Sequence, residues 1–137
     1  MKRAVIFFAE GFEEVEALTV VDLLRRAKVQ PDMVSITGSL QVTGSHGIQV
    51  QADVLFADAR ISEADALVLP GGMPGTRNLQ AYAPLIEALQ QANEAGKLLG
   101  ILRLFNHDFR GGHVYRLYDD QSSEWRWRRK NDGLWKK

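Results

Sequence analysis

The chain has 137 residues, enough for one domain with a true hydrophobic core, and its 17 basic residues balance its 17 acidic ones. This even charge favours no polyanionic partner. The chain contains no cysteine, which excludes disulfides, thiolate metal ligands and a cysteine nucleophile.

The N-terminal apolar run predicts a buried strand. Residues 4–9 are continuously apolar and rich in β-formers, as in strands covered on both faces. The run is too short for a signal peptide, and acidic residues follow it closely. No apolar run approaches the ~20 residues of a membrane-spanning helix. We therefore expect a cytoplasmic protein without a membrane segment.

Strand-like and helix-like patterns then alternate along the chain. Residues 13–27 have apolar positions at helical spacing, with acidic residues in the first turn and Arg25 and Arg26 in the last, as the helix dipole favours. Such alternation predicts an α/β fold with a doubly wound parallel sheet. The later predicted elements are a strand at 33–37, a hairpin of 40–42 and 48–51, a strand at 66–69, a helix with apolar positions from Leu79 to Ala92, and a strand at 98–102.

The composition changes near residue 103. Residues 1–102 carry eight basic and twelve acidic side chains, whereas residues 103–137 carry nine basic, five acidic and all three tryptophans. The second segment shows no sustained period of two or 3.6 residues, and the only strand-like stretch is near 114–118. We therefore divide the chain into an α/β domain at 1–102 and a basic, largely irregular tail at 103–137.

Three segments have the chemistry of a site. Ligands bind beyond the carboxyl ends of parallel strands, where we place the loop before Glu16, the Pro70-Gly71-Gly72 turn, and the end of the 98–102 strand. Glycines let backbone N–H groups approach a substrate oxygen closely. A carboxylate can share a proton with a neighbouring thiol. We expect Glu13 and Glu14 to be helix-capping and surface charges.

The chain resembles the ThiJ/PfpI superfamily over about residues 3–102, in the branch of the parkinsonism-associated deglycase and chaperone protein. The resemblance rests on several motifs in the family's order and spacing. These are GFEEVEA at 11–17, VDLLRRA at 21–27, SHGI at 45–48, DALVLPGGMPG at 65–75 and GKLLG at 96–100.

The resemblance implies a flavodoxin-like three-layer sandwich, also described as class I glutamine amidotransferase-like, and a homodimer. It further implies cysteine-dependent action on glyoxals or glyoxal adducts, of the glyoxalase III or protein deglycase type; some members are peptidases. By position, Glu16 is the carboxylate that partners the cysteine, and Gly71 and Gly72 supply oxyanion N–H groups. Arg103 occupies the nucleophile's place, and His46 stands where members usually have arginine.

Arginine cannot replace a thiolate, because it is permanently protonated and has no nucleophilic lone pair. We therefore expect a chain that is inactive as it stands, with a sandwich incomplete at its C-terminus. An ion pair between Arg103 and Glu16 would make the pocket neutral. The break at residue 103 also suggests a displaced reading frame, since codons for Ile-Leu-Arg-Leu (residues 101–104) contain Cys-Ala one base later, although the restored elbow would be one residue short.

Several alternatives remain open. The chain could be a non-catalytic chaperone-like or interaction module, or a truncated remnant. The aromatic and basic residues at 125–130 could contact nucleic acid by stacking and phosphate neutralisation, although no recognised motif accompanies them. His46, His107 and His113 lack ligand spacing, so we expect no metal site and no cofactor. For an active chain, the partners would be small reactive carbonyls or their adducts.

Overall fold

The computed structural model describes residues 2–102 and, for the backbone alone, residues 115–119 and 125–129. Its strands and helices alternate along the first hundred residues. In chain order the strands are β1 (Arg3–Phe8), β2 (Gln30–Ser35), β3 (Gln41–Thr43), β4 (Gln49–Gln51), β5 (Val54–Leu55), β6 (Ala66–Leu69), β7 (Leu98–Ile101), β8 (Tyr115–Asp119) and β9 (Trp125–Arg129). The α-helices are α1 (Glu14–Arg26), α2 (Gly75–Gln80) and α3 (Ala83–Glu94).

One parallel sheet organises the molecule. Its order is β5-β2-β1-β6-β7, and each neighbouring pair runs parallel. The chain builds outward from β1 on one side and then returns to build outward on the other, which is doubly wound topology. The predicted α/β parallel sheet is therefore confirmed for the described residues.

The central strand β1 is buried on both faces, as its apolar run predicts. Val5 and Phe7 face one core with Leu85 and Leu89 of α3. On the opposite face, Ile6 and Phe8 pack in a second core with residues of α1. Alternate side chains of a strand point to opposite faces, so an all-apolar strand serves two helical layers at once. The result is the expected three-layer sandwich.

The prediction of a single helix from Leu79 to Ala92 is wrong in one respect, because the structure divides this segment between α2 and α3. α2 ends at Gln80, Tyr82 is the N-cap of α3, and Pro84 lies in the first turn of that helix. Proline has no N–H for an intrahelical bond and its ring clashes with the preceding turn, but both features are tolerated in the first turn of a new helix. The apolar spacing continues across the break, which hides it from a periodicity argument.

The hairpin is confirmed. β3 and β4 pair antiparallel, with Val42 opposite Val50. Two short 3₁₀ segments, Phe56–Asp58 and Ile61–Glu63, then lead from β5 to β6, where the sequence pattern predicts no element.

The segment 103–137 contains a second antiparallel pair. β8 pairs with β9, with Leu117 opposite Trp127 in the register. β8 agrees with the strand-like stretch near 114–118, whereas β9 falls in the aromatic and basic cluster, where no strand is predicted. The other residues of this segment lie outside the described part of the chain, so its division from the α/β domain stays a prediction.

None of the helices in the described ranges has the length and apolar character that a bilayer crossing requires. This agrees with the absence of a long apolar run in the sequence.

Two loops at the carboxyl edge of the sheet pack backbone against backbone. The loop between β1 and α1 donates from Glu13 N to Gly71 O at 2.9 Å and accepts from Gly75 N at Gly11 O at 3.1 Å. A Cβ at Gly72 would lie 2.6 Å from Glu13 N, and one at Gly75 would lie 2.6 Å from Gly11 O. Real Cβ atoms do not approach that closely, so glycine is required at both positions.

We predict that Gly72→Ala destabilises the fold far more than Gly38→Ala. Both glycines have positive φ, +99° and +82°, so both variants bear the left-handed penalty of about 1–2 kcal/mol. Only Gly72 also meets backbone, because nothing in the described chain lies within 4 Å of a Cβ at Gly38. We expect an additional loss of about 2 kcal/mol or more in the free energy of unfolding.

Urea titrations of the two variants and the unmodified chain measure this difference. Equal losses would contradict the backbone packing. The same curves address the truncated-remnant alternative, because cooperative unfolding is expected of a folded domain and not of a remnant.

Candidate functional site

The site lies where the strand order reverses. β1 is flanked by β2 on one side and β6 on the other, and the loops that leave β1 and β6 meet beyond their carboxyl ends. This crevice is where open parallel sheets bind ligands, because diverging connections leave a gap there. The sheet therefore brings two of the predicted segments, the start of α1 and the Pro70-Gly71-Gly72 turn, into contact.

Glu16 is the most deeply placed acid of this crevice. It is 2% exposed, and its Oε2 accepts a hydrogen bond from Gly71 N at 2.6 Å. A Cβ at Gly71 would lie 2.5 Å from that oxygen and 2.8 Å from Leu102 O. Glycine at position 71 thus makes room for the Glu16 carboxylate and for Leu102, the residue that follows β7. The three segments predicted from the sequence converge on this point.

The two glycines of the turn are not equivalent. Gly71 N–H is already used by Glu16, whereas Gly72 N–H has no hydrogen-bond partner among residues 2–102. Gly72 N–H is therefore not engaged by another residue of 2–102, whereas Gly71 N–H would be available to a ligand only if Glu16 released it. The oxyanion role of both residues stays a prediction.

Arg103 lies outside the described residues, as do His107 and His113. Its place at the nucleophile position and an ion pair with Glu16 therefore stay predictions. β7 ends at Ile101, and the N–H of the next residue, Leu102, donates to Leu69 O at 3.0 Å.

Glu13 caps its own helix, as predicted. Its Oε2 accepts from Glu16 N at 2.8 Å, which satisfies one of the N–H groups that a helix leaves unpaired in its first turn. The capped backbone group belongs to the residue whose carboxylate faces Gly71. Capping by Glu13 therefore also fixes the first helical turn of α1, which carries Glu16.

Glu14 is a correction to the sequence prediction, because it is not a surface charge. It is 4% exposed, and its carboxylate reaches the β3–β4 loop. Oε1 accepts from His46 N at 2.7 Å and Ile48 N at 3.4 Å, and Oε2 accepts from His46 Nδ1 at 2.8 Å and Ser45 Oγ at 3.4 Å. A Cβ at Gly44 would fall on this carboxylate, so the loop glycine makes room for it.

The hydrogen bonds around Glu14 shift the pKa of both partners. Burial alone would raise the pKa of Glu14, but hydrogen bonds from the His46 ring and from the backbone of His46 and Ile48 outweigh it and lower the pKa to about 2. Donation to Glu14, followed by the charge of that carboxylate, raises the pKa of His46 above 6.5. Glu14 and His46 therefore form an ion pair at pH values above the pKa of Glu14 and below the raised pKa of His46.

One grouping was missed by sequence reasoning. Glu13, Glu14 and His46 each place one ligand-type atom within 4.8 Å of the other two. The histidine is 32 residues from Glu14, so no short spacing announces the cluster. The only available signal was the Gly44-Ser45-His46-Gly47 loop, whose glycines predict a tight turn without showing where it docks.

The family model described as the DJ-1/PfpI family matches residues 2–102. The matched range includes β1, the Pro70-Gly71-Gly72 turn and Glu16 of the crevice. The chain belongs to the DJ-1/PfpI family.

Relatives extend well beyond the matched part. Protein DJ-1 homolog B of Arabidopsis thaliana is 34% identical over 69% of this chain, which corresponds to 22% of that protein. Protein dj-1beta of Drosophila melanogaster is 32% identical over 69% of this chain and 50% of its own length. The chain thus spans between about a fifth and a half of these relatives.

A solved structure confirms the fold independently. A cysteine-to-alanine mutant of a DJ-1 superfamily protein from Salmonella typhimurium superposes with a TM-score of 0.71 and 35% identity. The superposition covers 74% of this chain and 55% of the other. The flavodoxin-like sandwich of the DJ-1 family is therefore shared over the first three quarters of this chain.

We predict that Glu14→Gln lowers the pKa of His46 towards its ordinary value, because the amide carries no charge. Titration of the histidine ring resonances by NMR measures the change. Asp22→Asn is the matched control, since Asp22 is an exposed acid of the same helix that pairs with Arg26 and not with His46. An unchanged pKa of His46 in Glu14→Gln would contradict the ion pair.

The pair also sets a pH window for stability. A raised pKa means that the contribution of His46 is complete below pH 6.5 and is lost as pH rises through the folded-state pKa. The lowered pKa of Glu14 means that its contribution is complete above pH 4.5 and is lost as pH falls towards 2. Destabilisation by Glu14→Gln should therefore be greatest between pH 4.5 and 6.5.

Proposed function

We propose that this chain is a non-catalytic member of the DJ-1/PfpI family, of the glyoxalase III or protein deglycase type, that has lost cysteine-dependent chemistry. One observation carries the proposal: the 137 residues contain no cysteine, while Glu16 and Gly71 keep a built crevice. A thiol nucleophile acts as its thiolate, and no other side chain in the described crevice supplies that combination of charge and polarisability.

The supporting geometry concerns what the crevice still offers. Glu16 accepts a hydrogen bond from Gly71 N–H, and Gly72 N–H has no hydrogen-bond partner among residues 2–102. Such a crevice binds a carbonyl oxygen but has no group to attack the carbonyl carbon. In this proposal, small reactive carbonyls or their adducts therefore bind to the chain as ligands and are not its substrates.

The proposal includes a cytoplasmic location. The apolar run near the N-terminus forms the central strand β1, between β2 and β6. Removal of this run by a signal peptidase would take the middle strand from the sheet. Fractionation of cells expressing the chain would test the location.

We predict that the purified chain consumes methylglyoxal only at the background rate, and that Glu16→Gln behaves identically. The rate is followed by loss of the dicarbonyl under conditions in which a cysteine-containing relative is active. Turnover above background that disappears in Glu16→Gln would overturn the proposal. Turnover that persists in Glu16→Gln would point to a reaction outside this crevice and would equally contradict it.

A second candidate is an interaction module that forms a homodimer. Val15 on α1 and Ile48 on the β3–β4 loop are 52% and 53% exposed, and the Glu14 carboxylate links the two elements. Exposed apolar side chains on adjoining elements favour protein contact. In a two-fold dimer the same patch meets its own copy, so each side chain contributes twice.

We predict that Val15→Glu weakens this dimer by about tenfold or more, because two like charges would meet in an apolar contact. Sedimentation velocity across a concentration series gives the dissociation constant. Leu98→Glu is the matched control, since Leu98 is 55% exposed on the far end of β7. A monomeric unmodified chain, or equal weakening in both variants, would remove this surface from the proposal.

A further inference from the structure

Three ligand-type atoms converge at the start of α1, outside the Glu16 crevice. His46 Nδ1 lies 2.8 Å from Glu14 Oε2 and 3.7 Å from Glu13 Oε1. All three atoms lie within 4.8 Å of one another. Two of the three donors are buried, whereas the imidazole is largely exposed. The histidine side of the cluster is therefore open to solvent.

A second observation concerns Glu13 itself. Its side chain is nine-tenths buried, yet only Oε2 accepts a hydrogen bond, from Glu16 N. Oε1 has no hydrogen bond among residues 2–102 and points at the imidazole from 3.7 Å, beyond hydrogen-bond distance. Among the described residues, Oε1 is not one of the fully buried side-chain atoms that lack a hydrogen-bond partner, so it keeps contact with solvent and its lone pairs are open to a cation. The donors that bind the Glu14 carboxylate make no hydrogen bond to Glu13 Oε1.

The donor set matches a particular class of metal. Carboxylate oxygen and imidazole nitrogen bind Zn²⁺ at about 2.0–2.2 Å, which places tetrahedral ligands about 3.4 Å apart. The 3.7 Å separation between Glu13 Oε1 and His46 Nδ1 already fits. The 2.8 Å contact of Nδ1 with Glu14 Oε2 must open by about half an ångström, which follows when the bridging proton is replaced by the cation.

The residues around the cluster hold the ligands in place. Glu16 N fixes the Glu13 carboxylate, and His46 N fixes the other oxygen of Glu14 at 2.7 Å. Hydrogen bonds of this kind orient metal ligands and tune their affinity. The ring binds through Nδ1 as the tautomer protonated at Nε2, with water in the fourth position.

We propose that Glu13, Glu14 and His46 form a binding site for one divalent cation of the Zn²⁺ class. This site depends neither on the proposed loss of catalysis nor on the nucleophile position. It joins the first turn of α1 to the β3–β4 loop, which Glu14 already contacts through its hydrogen bonds with His46 N and Ile48 N. A bound cation would therefore stabilise the folded chain by mass action.

Isothermal titration of the metal-free full chain with zinc chloride tests the site, and Co²⁺ absorption reports its coordination. The decisive variant is His46→Arg, which keeps a positive charge beside Glu14 but has no lone pair for a metal. Glu13→Gln removes the carboxylate charge while leaving an amide oxygen that can cap α1. The matched control is the double variant His107→Gln/His113→Gln, which removes the chain's two other histidines.

We expect one Zn²⁺ per chain, a tetrahedral Co²⁺ spectrum, and affinity lower by about tenfold or more in His46→Arg and Glu13→Gln. The control should bind as the unmodified chain does. Circular dichroism of each variant separates loss of a ligand from loss of the fold. A stoichiometry other than one, retained affinity in folded His46→Arg, or loss confined to the control would each overturn the proposal.

Discussion

The close approach of two backbones at the carboxyl edge of the sheet is the constraint on which the rest of the site depends. Glu13 N and Gly71 O, and Gly75 N and Gly11 O, join the loop after β1 to the turn after β6. These contacts exist only because Gly72 and Gly75 have no side chain. They fix where α1 begins relative to the turn, and the start of α1 carries every acid of the site.

The three acids at the start of α1 serve three different partners because of helix geometry. Successive helical residues point about 100° apart, so Glu14 and Glu16 face nearly opposite sides of the helix. Glu14 meets the β3–β4 loop and Glu16 meets Gly71, while Glu13 turns back to cap the helix. A glycine at position 44 or 71 clears the space for each reaching carboxylate. A run that reads as surface charge is therefore largely buried.

Sequence reasoning succeeded where one local pattern determines the structure. The apolar runs of β1 and of the strand at Ala66–Leu69 predict interior strands, and β1 is the middle strand of the sheet with β6 beside it. Reasoning failed where the cause is distant. The burial of Glu14 depends on a loop more than thirty residues away. The break before α3 was hidden for another reason, because apolar periodicity persisted while Pro84 ended the hydrogen-bond ladder.

The fold gives Glu16 a structural role in addition to any catalytic one. Its carboxylate accepts from Gly71 N, which joins the first helix to the turn after β6. Its own N–H donates to the capping carboxylate of Glu13. A substitution of Glu16 by a residue without a side-chain acceptor would leave Gly71 N–H without its partner, which is costly whether or not a nucleophile is present. The acid and the turn therefore have a structural role that does not require a cysteine. In this site, the intact acid indicates a correctly assembled sheet edge and is not by itself evidence of catalysis.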